Sequence, residues 1–167
     1  LPIHTGGFTN NFEYKGFDLS VFFQWSYGND VLNANRLFFD SGFQKKRELN
    51  QYASYTDRWT PENPNSNIPA ATNSSSNLVI SSRVVEDASF LRLKTVTLGY
   101  TVPKTFLKKY KIDNARLYVA AQNLWTITGY SGYDPEVSIR SGGLTPGLDF
   151  SSYPRALSVS FGINLGF

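Results

Sequence analysis

The chain has 167 residues, of which 41% are hydrophobic and 17% charged, with a formal net charge of +3. This composition is too apolar for a disordered chain and too polar for a bundle of membrane helices, which need apolar runs of about 18 residues. There is no cysteine, which excludes a disulfide framework, a thiolate metal site and a thiol nucleophile. The length suits one domain of ordinary size.

The first predicted elements are two strands joined by a tight turn. Aromatic residues alternate with polar ones in FTNNFEYK at 8–15, and FDLSVFFQWSY at 17–27 places an apolar residue at every second position. Phe22 is the only exception in the second strand. Lys15 and Gly16 lie between the two patterns, and a pair of this kind predicts a two-residue hairpin.

A long connection follows at 28–88. Within it, QKKRELNQYASYTDRW at 44–59 is rich in helix-forming residues and stops before a proline, which predicts a helix. The stretch PENPNSNIPAATNSSSN at 61–77 is dominated by proline, asparagine and serine and is expected to be irregular.

A third strand is predicted in FLRLKTVTLGY at 90–100. Val96, Leu98 and Tyr100 share one face, but Leu91 and Leu93 are out of phase with them. This change of phase predicts a β-bulge or a strand that continues beyond the apolar layer.

Two more strands complete the pattern, NARLYVAAQNL at 114–124 and LSVSFGINLGF at 157–167. The connection at 101–113 is short, and the connection at 124–155 is long. Short and long connections therefore alternate, which predicts an antiparallel meander with two long loops on its functional, extracellular side.

The apolar faces of these strands indicate contact with lipid. They reach about 11 residues, which is close to the ~9–11 that a tilted strand needs to cross a bilayer core. The opposite faces carry serine, glycine, asparagine and acidic residues, which suit a polar lumen. Aromatic residues lie near the strand ends, as in the girdles of outer-membrane barrels. The prediction is a membrane barrel, with a soluble carbohydrate-binding β-sandwich as the alternative.

We expect one set of side chains to face lipid and another to face the lumen. The outward set is Leu19, Val21, Phe23, Leu157, Val159, Phe161, Ile163 and Leu165. The lumenal set is Ser20, Gln24, Ser158, Ser160 and Asn164. Five strands are too few to close a barrel, which needs about eight. Residues 1–167 are therefore predicted to be an all-β segment of a larger barrel.

Several segments, in this order, resemble the C-terminal portion of SusC/RagA-type TonB-dependent outer-membrane transporters of Bacteroidetes-like bacteria. They are TGGFTNNFEYKGFDLSVFFQWSYGNDVLN at 5–33, RWTPENP at 58–64, VVEDASFLRLKTVTLGYTVP at 84–103, RLYVAAQNLWTITGYSGYDPEV at 116–137 and GLDFSSYPRALSVSFGINLGF at 147–167. No single motif is decisive, but the ordered set covers most of the chain.

The resemblance implies the last five strands of a barrel of about 22 strands, with the plug and the N-terminal strands missing from this segment. It also implies import of glycans or peptides across the outer membrane, a SusD-like surface lipoprotein as a lid, and contact with TonB through the missing N-terminal part. The last strand resembles the signal read by the barrel assembly machinery. The residues that would carry this signal are Phe161, Ile163, Leu165 and Phe167.

Four loop aromatics are candidates for contact with substrate or lid, because aromatic faces cover the apolar side of sugars and peptides. They are Trp59, Trp125, Tyr130 and Tyr133. Packing between loops or girdle anchoring is the alternative role for each. Asp134 and Glu136 flank Pro135 and are expected to brace the loop, with calcium binding or glycoside hydrolysis as alternatives.

Other chemistry finds little support in the sequence. A single histidine, His4, and the absence of nucleophile or phosphate-loop motifs argue against an enzyme, so no catalytic residue, metal site or cofactor is expected. The basic stretch KTFLKKYK at 104–111 predicts a solvated turn, and no nucleic-acid partner is expected.

Overall fold

The computed structural model describes residues 1–42, 50–73, 77–139 and 147–167. These residues form two compact units. The sheet unit comprises Pro2–Tyr27, Ser89–Gly129 and Arg155–Phe167. The loop unit comprises Gly28–Ala88 and Tyr130–Pro154, together with Leu1.

The described residues contain eight strands and two short α-helices. In chain order they are β1 (His4–Tyr14), β2 (Phe17–Tyr27), β3 (Asp30–Asn33), α1 (Ala34–Phe39), β4 (Val85–Asp87), β5 (Phe90–Thr101), α2 (Lys104–Leu107), β6 (Asn114–Thr128), β7 (Leu148–Asp149) and β8 (Ser158–Gly166). Three short 3-10 helices lie at Ala53–Asp57, Ser82–Val84 and Lys108–Tyr110. Among the described residues, no helix is long and apolar enough to span a bilayer.

The sheet unit is a five-stranded sheet in the order β1-β2-β5-β6-β8. Every neighbouring pair is antiparallel. Consecutive long strands are therefore neighbours in the sheet, as in a meander. The prediction of five antiparallel strands is confirmed.

The turn between β1 and β2 is the predicted two-residue hairpin. Tyr14 pairs with Phe17, which leaves Lys15 and Gly16 as the only loop residues. Both have positive φ, 46° and 88°, as a type I′ turn requires. A Cβ on Gly16 would lie 2.9 Å from the carbonyl oxygen of Thr101, so glycine is also needed for space.

The predicted bulge in β5 is confirmed at Lys94. Phe22 of β2 pairs with Thr95, whereas the next residue, Phe23, pairs with Leu93. Lys94 is the extra residue between these pairs. Because the bulge changes the phase by one residue, Leu91 and Leu93 join the face that carries the apolar residues beyond it.

The register aligns the apolar residues of the strands into continuous rows. One row runs Leu19, Leu98, Val119 and Phe161 across β2, β5, β6 and β8. Other rows are Phe17, Tyr100, Leu117 and Ile163, then Val21, Val96, Ala121 and Val159, then Phe23, Leu93 and Trp125, then Trp25, Leu91 and Ile127. We call this surface the apolar face. Ser20, Thr97, Ala120 and Ser160 form a row on the opposite face.

Much of the apolar face is exposed. Phe161 is 82% exposed and Ile163 is 64% exposed. A soluble sandwich would bury such side chains against a second sheet, with about 1.5–3 kcal/mol gained for each. Within the described part of the sheet unit there is no second sheet. The apolar face of this sheet therefore needs contact with an apolar phase that the sheet unit itself does not provide.

Aromatic rings cover glycines of the neighbouring strand in the sheet. Gly162 pairs with Tyr118, and a Cβ on Gly162 would lie 2.2 Å from the ring carbon Cζ of Tyr118. Gly6 is similarly covered by the ring of Trp25, its partner in β2. Phe22 covers Gly7, which accounts for its exception to the alternation. These glycines give the rings space to lie flat on the sheet.

An ion pair crosses the polar face beside Gly99. The guanidinium of Arg116 in β6 donates to the carboxylate of Asp18 in β2, with 3.0 Å between Nε and Oδ1 and a second bond from Nη2 to Oδ2. A Cβ on Gly99 of the intervening β5 would lie 2.4 Å from atoms of both side chains. Glycine therefore allows the pair to form across the middle strand.

The loop unit contains a second, small sheet in the order β4-β3-β7. Strand β3 is antiparallel to β4 and parallel to β7. The sequence did not indicate these short strands, or helix α1 after β3.

The predicted helix at 44–59 is wrong where it can be assessed, because only Ala53–Asp57 is helical and of the 3-10 type. Residues 44–49 lie outside the described residues, whereas the described parts of 61–77 are irregular as expected.

We predict that Gly162→Ala destabilises the full-length protein by about 1–3 kcal/mol, because the new methyl group displaces the Tyr118 ring. Gly166→Ala is the matched control in the same strand, since its Cβ would meet Asn114 Cβ at an ordinary 3.7 Å. Denaturant unfolding in lipid vesicles measures both. Combining Gly162→Ala with Tyr118→Ala should remove most of the penalty, and additive effects would contradict this explanation.

Candidate functional site

A buried carboxylate, Asp40, organises one side of the loop unit. Its side chain is fully buried and accepts hydrogen bonds from Arg36 Nη2 at 3.3 Å, Arg83 Nη1 at 3.5 Å and Ser54 Oγ at 3.1 Å. Burial lowers the pKa of Arg83, while the charge of Asp40 opposes this shift. The cluster joins segments that are distant in sequence, and removal of one partner would leave a buried charge uncompensated.

Glu86 of β4 forms a second bridge in the loop unit. Its carboxylate accepts from the backbone N–H of Ser131 at 3.0 Å and from the Ser131 hydroxyl at 2.9 Å. Asn33 Nδ2 and Arg36 Nη1 also donate to it, at 3.1 and 3.3 Å. Burial alone raises the pKa of Glu86, but these hydrogen bonds outweigh burial and hold the pKa below its usual value. Glu86 therefore ties the two long connections together.

Tyr130 lies inside the loop unit. It is 6% exposed, it clusters with Val31 and Ala88, and its hydroxyl donates to Asp149 Oδ2 at 2.7 Å. Burial, followed by the hydrogen bond to Asp149, raises the pKa of the Tyr130 phenol well above its usual value. The ring is buried inside the loop unit, and its hydrogen bond to Asp149 supports the loop.

A cavity of about 590 Å³ lies beside these supports. Its lining residues are Asn35, Phe39, Asn50, Gln51, Tyr52, Tyr133, Ser151, Ser152, Tyr153 and Pro154. A neighbouring cavity of about 390 Å³ shares Asn35, Tyr52 and Tyr133 with it. We call the larger space the tyrosine cavity. It is of the size that binds small ligands or one end of a longer one.

The four predicted contact aromatics are divided between the two units. Tyr133 is 83% exposed and lines the tyrosine cavity. Trp59 is 43% exposed, and its backbone N–H donates to the carbonyl of Ile68. Trp125 lies in the sheet unit, on the apolar face opposite Leu93. Of the four, Tyr133 alone lines the tyrosine cavity, and their roles as contacts remain predictions.

The Asp134 carboxylate closes a tight turn. Its Oδ1 accepts from the backbone N–H of Glu136 at 2.9 Å, its carbonyl accepts from the Val137 N–H, and the residue is 3% exposed. This is the geometry of a loop brace. Among the described residues no group of three or more histidine, cysteine, aspartate or glutamate side chains could hold a metal ion.

The single histidine, His4, lies in β1, where its ring stacks on Tyr27 and its Nδ1 accepts a hydrogen bond from Trp25 Nε1.

Sequence reasoning missed most of the tyrosine cavity. Tyr52 and Phe39 come from the first long connection and Tyr153 from the second, so no local motif unites them. The available signal was the concentration of tyrosine in the non-repetitive segments. Asn35 was also missed, although it is 7% exposed and its Oδ1 accepts from the Ser151 N–H at 2.7 Å. That bond joins two segments of the cavity wall.

The chain is similar over its whole length to TonB-dependent receptors. It is 38% identical to TonB-dependent receptor P3 of Formosa agariphila over 99% of its own length, but spans only 16% of that receptor. It is 29% identical to TonB-dependent receptor SusC of Bacteroides thetaiotaomicron, of which it spans 15%. No family model matches the chain.

A solved structure, the RagAB peptide importer in its open-open state, superposes on all of the chain with a TM-score of 0.84 and 31% sequence identity. The chain covers 17% of that polypeptide. It has the sequence and fold of a segment of a SusC/RagA-type TonB-dependent receptor. The relatives of this receptor segment are receptors and transporters, consistent with a protein that is not an enzyme.

We predict that the Glu86 bridge weakens in acid. Because its folded pKa lies below the unfolded value of about 4.3, the stability that it contributes is present above that value and is lost as pH falls through the folded pKa. Hydrogen exchange at the Ser131 amide of the full-length receptor, corrected for intrinsic rates, should lose protection between about pH 5 and pH 3.

The control separates Glu86 from other carboxylates. Glu86→Gln should give weaker protection of the Ser131 amide with a flatter pH dependence, because the amide has no charge to lose. Glu62→Gln, at an exposed position of the same unit, should keep the parental profile. The same pH dependence in Glu86→Gln as in the parent would assign the effect to another group.

Proposed function

We propose that this chain is the C-terminal part of an outer-membrane nutrient importer driven by TonB. The observation that carries the proposal is the apolar face, which runs in register across the strands and carries exposed side chains such as Phe161 and Ile163. Lipid tails provide the apolar phase that it needs. Closure of the sheet into a barrel of about 22 strands would satisfy the backbone groups at its edges.

Under this proposal one face of the sheet contacts lipid and the other faces the lumen of the barrel. Phe161, Ile163 and their rows lie in hydrocarbon, whereas Ser160 and the Asp18–Arg116 pair line the lumen. The hairpin at Lys15 and the connection at 101–113 then lie on the periplasmic side. The loop unit lies on the extracellular side, where its cavity can meet a nutrient.

The partners follow from the same arrangement. A SusD-like surface lipoprotein would cover the extracellular mouth, and TonB would act through the part of the protein that precedes this segment. The similarity to SusC and to the RagAB peptide importer supports an importer of this class. The cargo is a glycan or a peptide that is too large for porins.

Deletion of the gene tests the function. A deletion strain should lose growth on at least one oligosaccharide or peptide mixture supplied as sole carbon source, and the full-length gene should restore it. Uptake of that nutrient by the parent should stop when an uncoupler removes the proton-motive force. Unchanged growth on every nutrient of a broad panel would contradict an importer.

The last strand provides a separate prediction about assembly. Phe161, Ile163, Leu165 and Phe167 alternate with small or polar residues, and Phe167 is 86% exposed. If they form the signal for the barrel assembly machinery, deleting Phe167 should lower the amount of receptor in the outer membrane severalfold. Burial of one aromatic at the interface contributes only about 1.5–3 kcal/mol, so the inserted receptor should still work.

Tyr100→Ala is the control for this deletion, because it removes an aromatic from the same face without altering the terminal pattern. It should cause a smaller loss in immunoblots of outer-membrane fractions. Equal receptor levels in the Phe167 deletion and the parent would leave Phe167 as an ordinary interfacial residue.

A further inference from the structure

The connection at 101–113 carries two exposed aromatic side chains. Phe106 is 69% exposed and Tyr110 is 68% exposed. Leu107 and Lys108 both have right-handed helical φ and ψ, so helix α2 continues without a break into the 3-10 turn that holds Tyr110. Residues four positions apart on a helical turn are neighbours on its surface. The two aromatic side chains therefore project from the same side of this turn.

The helical turn is attached to the end of the apolar face. Leu107 is 6% exposed, and helix α2 contacts β6. Ala115, at the start of β6, is 7% exposed and pairs with Leu165 of β8. The backbone N–H of Val102 donates to the carbonyl of Ala115 at 2.9 Å. The exposed aromatics of the connection thus continue the apolar face beyond the ends of its strands.

Four lysines accompany the two aromatics in this connection. They are Lys104, Lys108, Lys109 and Lys111, and all four are exposed. The connection at 101–113 contains one acidic residue, Asp113. Four ammonium groups against one carboxylate produce a positive potential that attracts anions. The long apolar stem of lysine also lets its ammonium reach water while the rest of the side chain lies on an apolar surface.

The β1–β2 hairpin adds a fifth lysine at the same end of the sheet. The backbone N–H of Thr101 donates to the carbonyl of Gly16 at 2.8 Å, so the hairpin lies beside the start of the connection. The ammonium of Lys15 lies 5.2 Å from the ring centroid of Tyr14. Aromatic and basic side chains therefore occur together in both connections at this end.

Two of these lysines occupy unusual backbone positions. Lys15 and Lys111 have positive φ, 46° and 57°. Glycine and asparagine adopt this left-handed conformation with less strain than lysine does, and a type I′ hairpin favours asparagine where Lys15 lies. Strained residues are found where the surrounding structure or the function requires them. Lysine at both positions indicates that the ammonium groups are used.

Anionic phospholipid matches this combination of side chains. Its phosphate lies where hydrocarbon meets water, within reach of ammonium groups, and aromatic side chains favour the same boundary. A soluble anion would pair with the lysines but would leave the exposed aromatics in water. A purely apolar ligand would cover the aromatics but would not use the charges. A lipid surface with anionic headgroups uses both.

We propose that the basic-aromatic patch of this connection binds anionic phospholipids of the membrane leaflet that faces the periplasm. The patch comprises Lys104, Phe106, Lys108, Lys109, Tyr110 and Lys111. The inference rests on the proposed function, which places the connection at 101–113 on the periplasmic side of an outer-membrane barrel. The aromatics lie at the level of the acyl chains next to the apolar face, and the lysines pair with the phosphates.

Lipid binding to the purified full-length receptor tests the inference. Native mass spectrometry in uncharged detergent compares the retention of phosphatidylglycerol with that of zwitterionic phosphatidylethanolamine with the same acyl chains. The parent should prefer phosphatidylglycerol by about tenfold or more, and added salt should weaken the preference. Each lysine near an anionic headgroup contributes a factor of about five. Replacing Lys104, Lys108, Lys109 and Lys111 together with glutamine should therefore lower the preference to less than about threefold.

Two further variants control for charge and folding. Arg155→Gln removes an exposed basic side chain of the same unit before β8, whereas the patch lies beside the other end of that strand, and it should keep the parental preference. Lys111→Asn suits the left-handed backbone better, so it should fold normally yet lower the preference by about threefold to fivefold. The mobility of unheated receptor in a denaturing gel checks that each barrel is folded.

Four results would overturn the inference. They are a parent without preference for phosphatidylglycerol, an unchanged preference in the fourfold glutamine variant, displacement of the lipid by excess glycerol 3-phosphate, and lysine-dependent binding of lipid A in place of phosphatidylglycerol. Any of them, together with a deletion strain whose growth the full-length gene restores, would leave the import function standing. A deletion strain with no nutritional defect would instead overturn the function itself.

Discussion

The sheet has one apolar and one polar face, and the apolar face crosses β2, β5, β6 and β8, so its side chains require an apolar cover. The row from Leu19 to Phe161 crosses four strands without a polar residue. Covering it requires either a second sheet or lipid, and the described sheet unit provides no second sheet. The same constraint demands hydrogen-bonding partners for the edges, because unpaired backbone groups are costly away from water. A closed barrel in a bilayer satisfies both demands.

The polar face is packed by a different principle. Glycines at 7, 99 and 162 give space to a ring or an ion pair of another strand, so large side chains lie along the sheet instead of projecting from it. The glycines therefore act through their missing Cβ more than through their backbone freedom.

The strands and their tight turn could be predicted from the sequence, because they depend on the alternation of apolar and polar residues with a period of two. Alternation and the Lys15-Gly16 turn determine the strands locally, and the phase change at Leu91 and Leu93 revealed the bulge at Lys94. The loop unit depends on contacts such as Glu86 to Ser131, 45 residues apart, and Ser151 to Asn35, 116 residues apart. No local pattern encodes such pairs. Trp125 shows the same limit, because its place on the apolar face depends on the register beyond the bulge.

Tyr130 and Tyr133 are three residues apart, but Tyr130 is 6% exposed and Tyr133 is 83% exposed, and the contacts of the charged residues explain the difference. Glu86 accepts from the backbone N–H of Ser131, and Asp149 accepts from the hydroxyl of Tyr130. The Tyr130 side chain therefore helps to fix the loop. The turn braced by Asp134 then follows Tyr133 directly and leaves its ring exposed. A ring presented from a fixed loop loses little conformational entropy when a ligand covers it. The buried carboxylates of Glu86, Asp134 and Asp149 thus hold the loop from which the exposed Tyr133 ring projects.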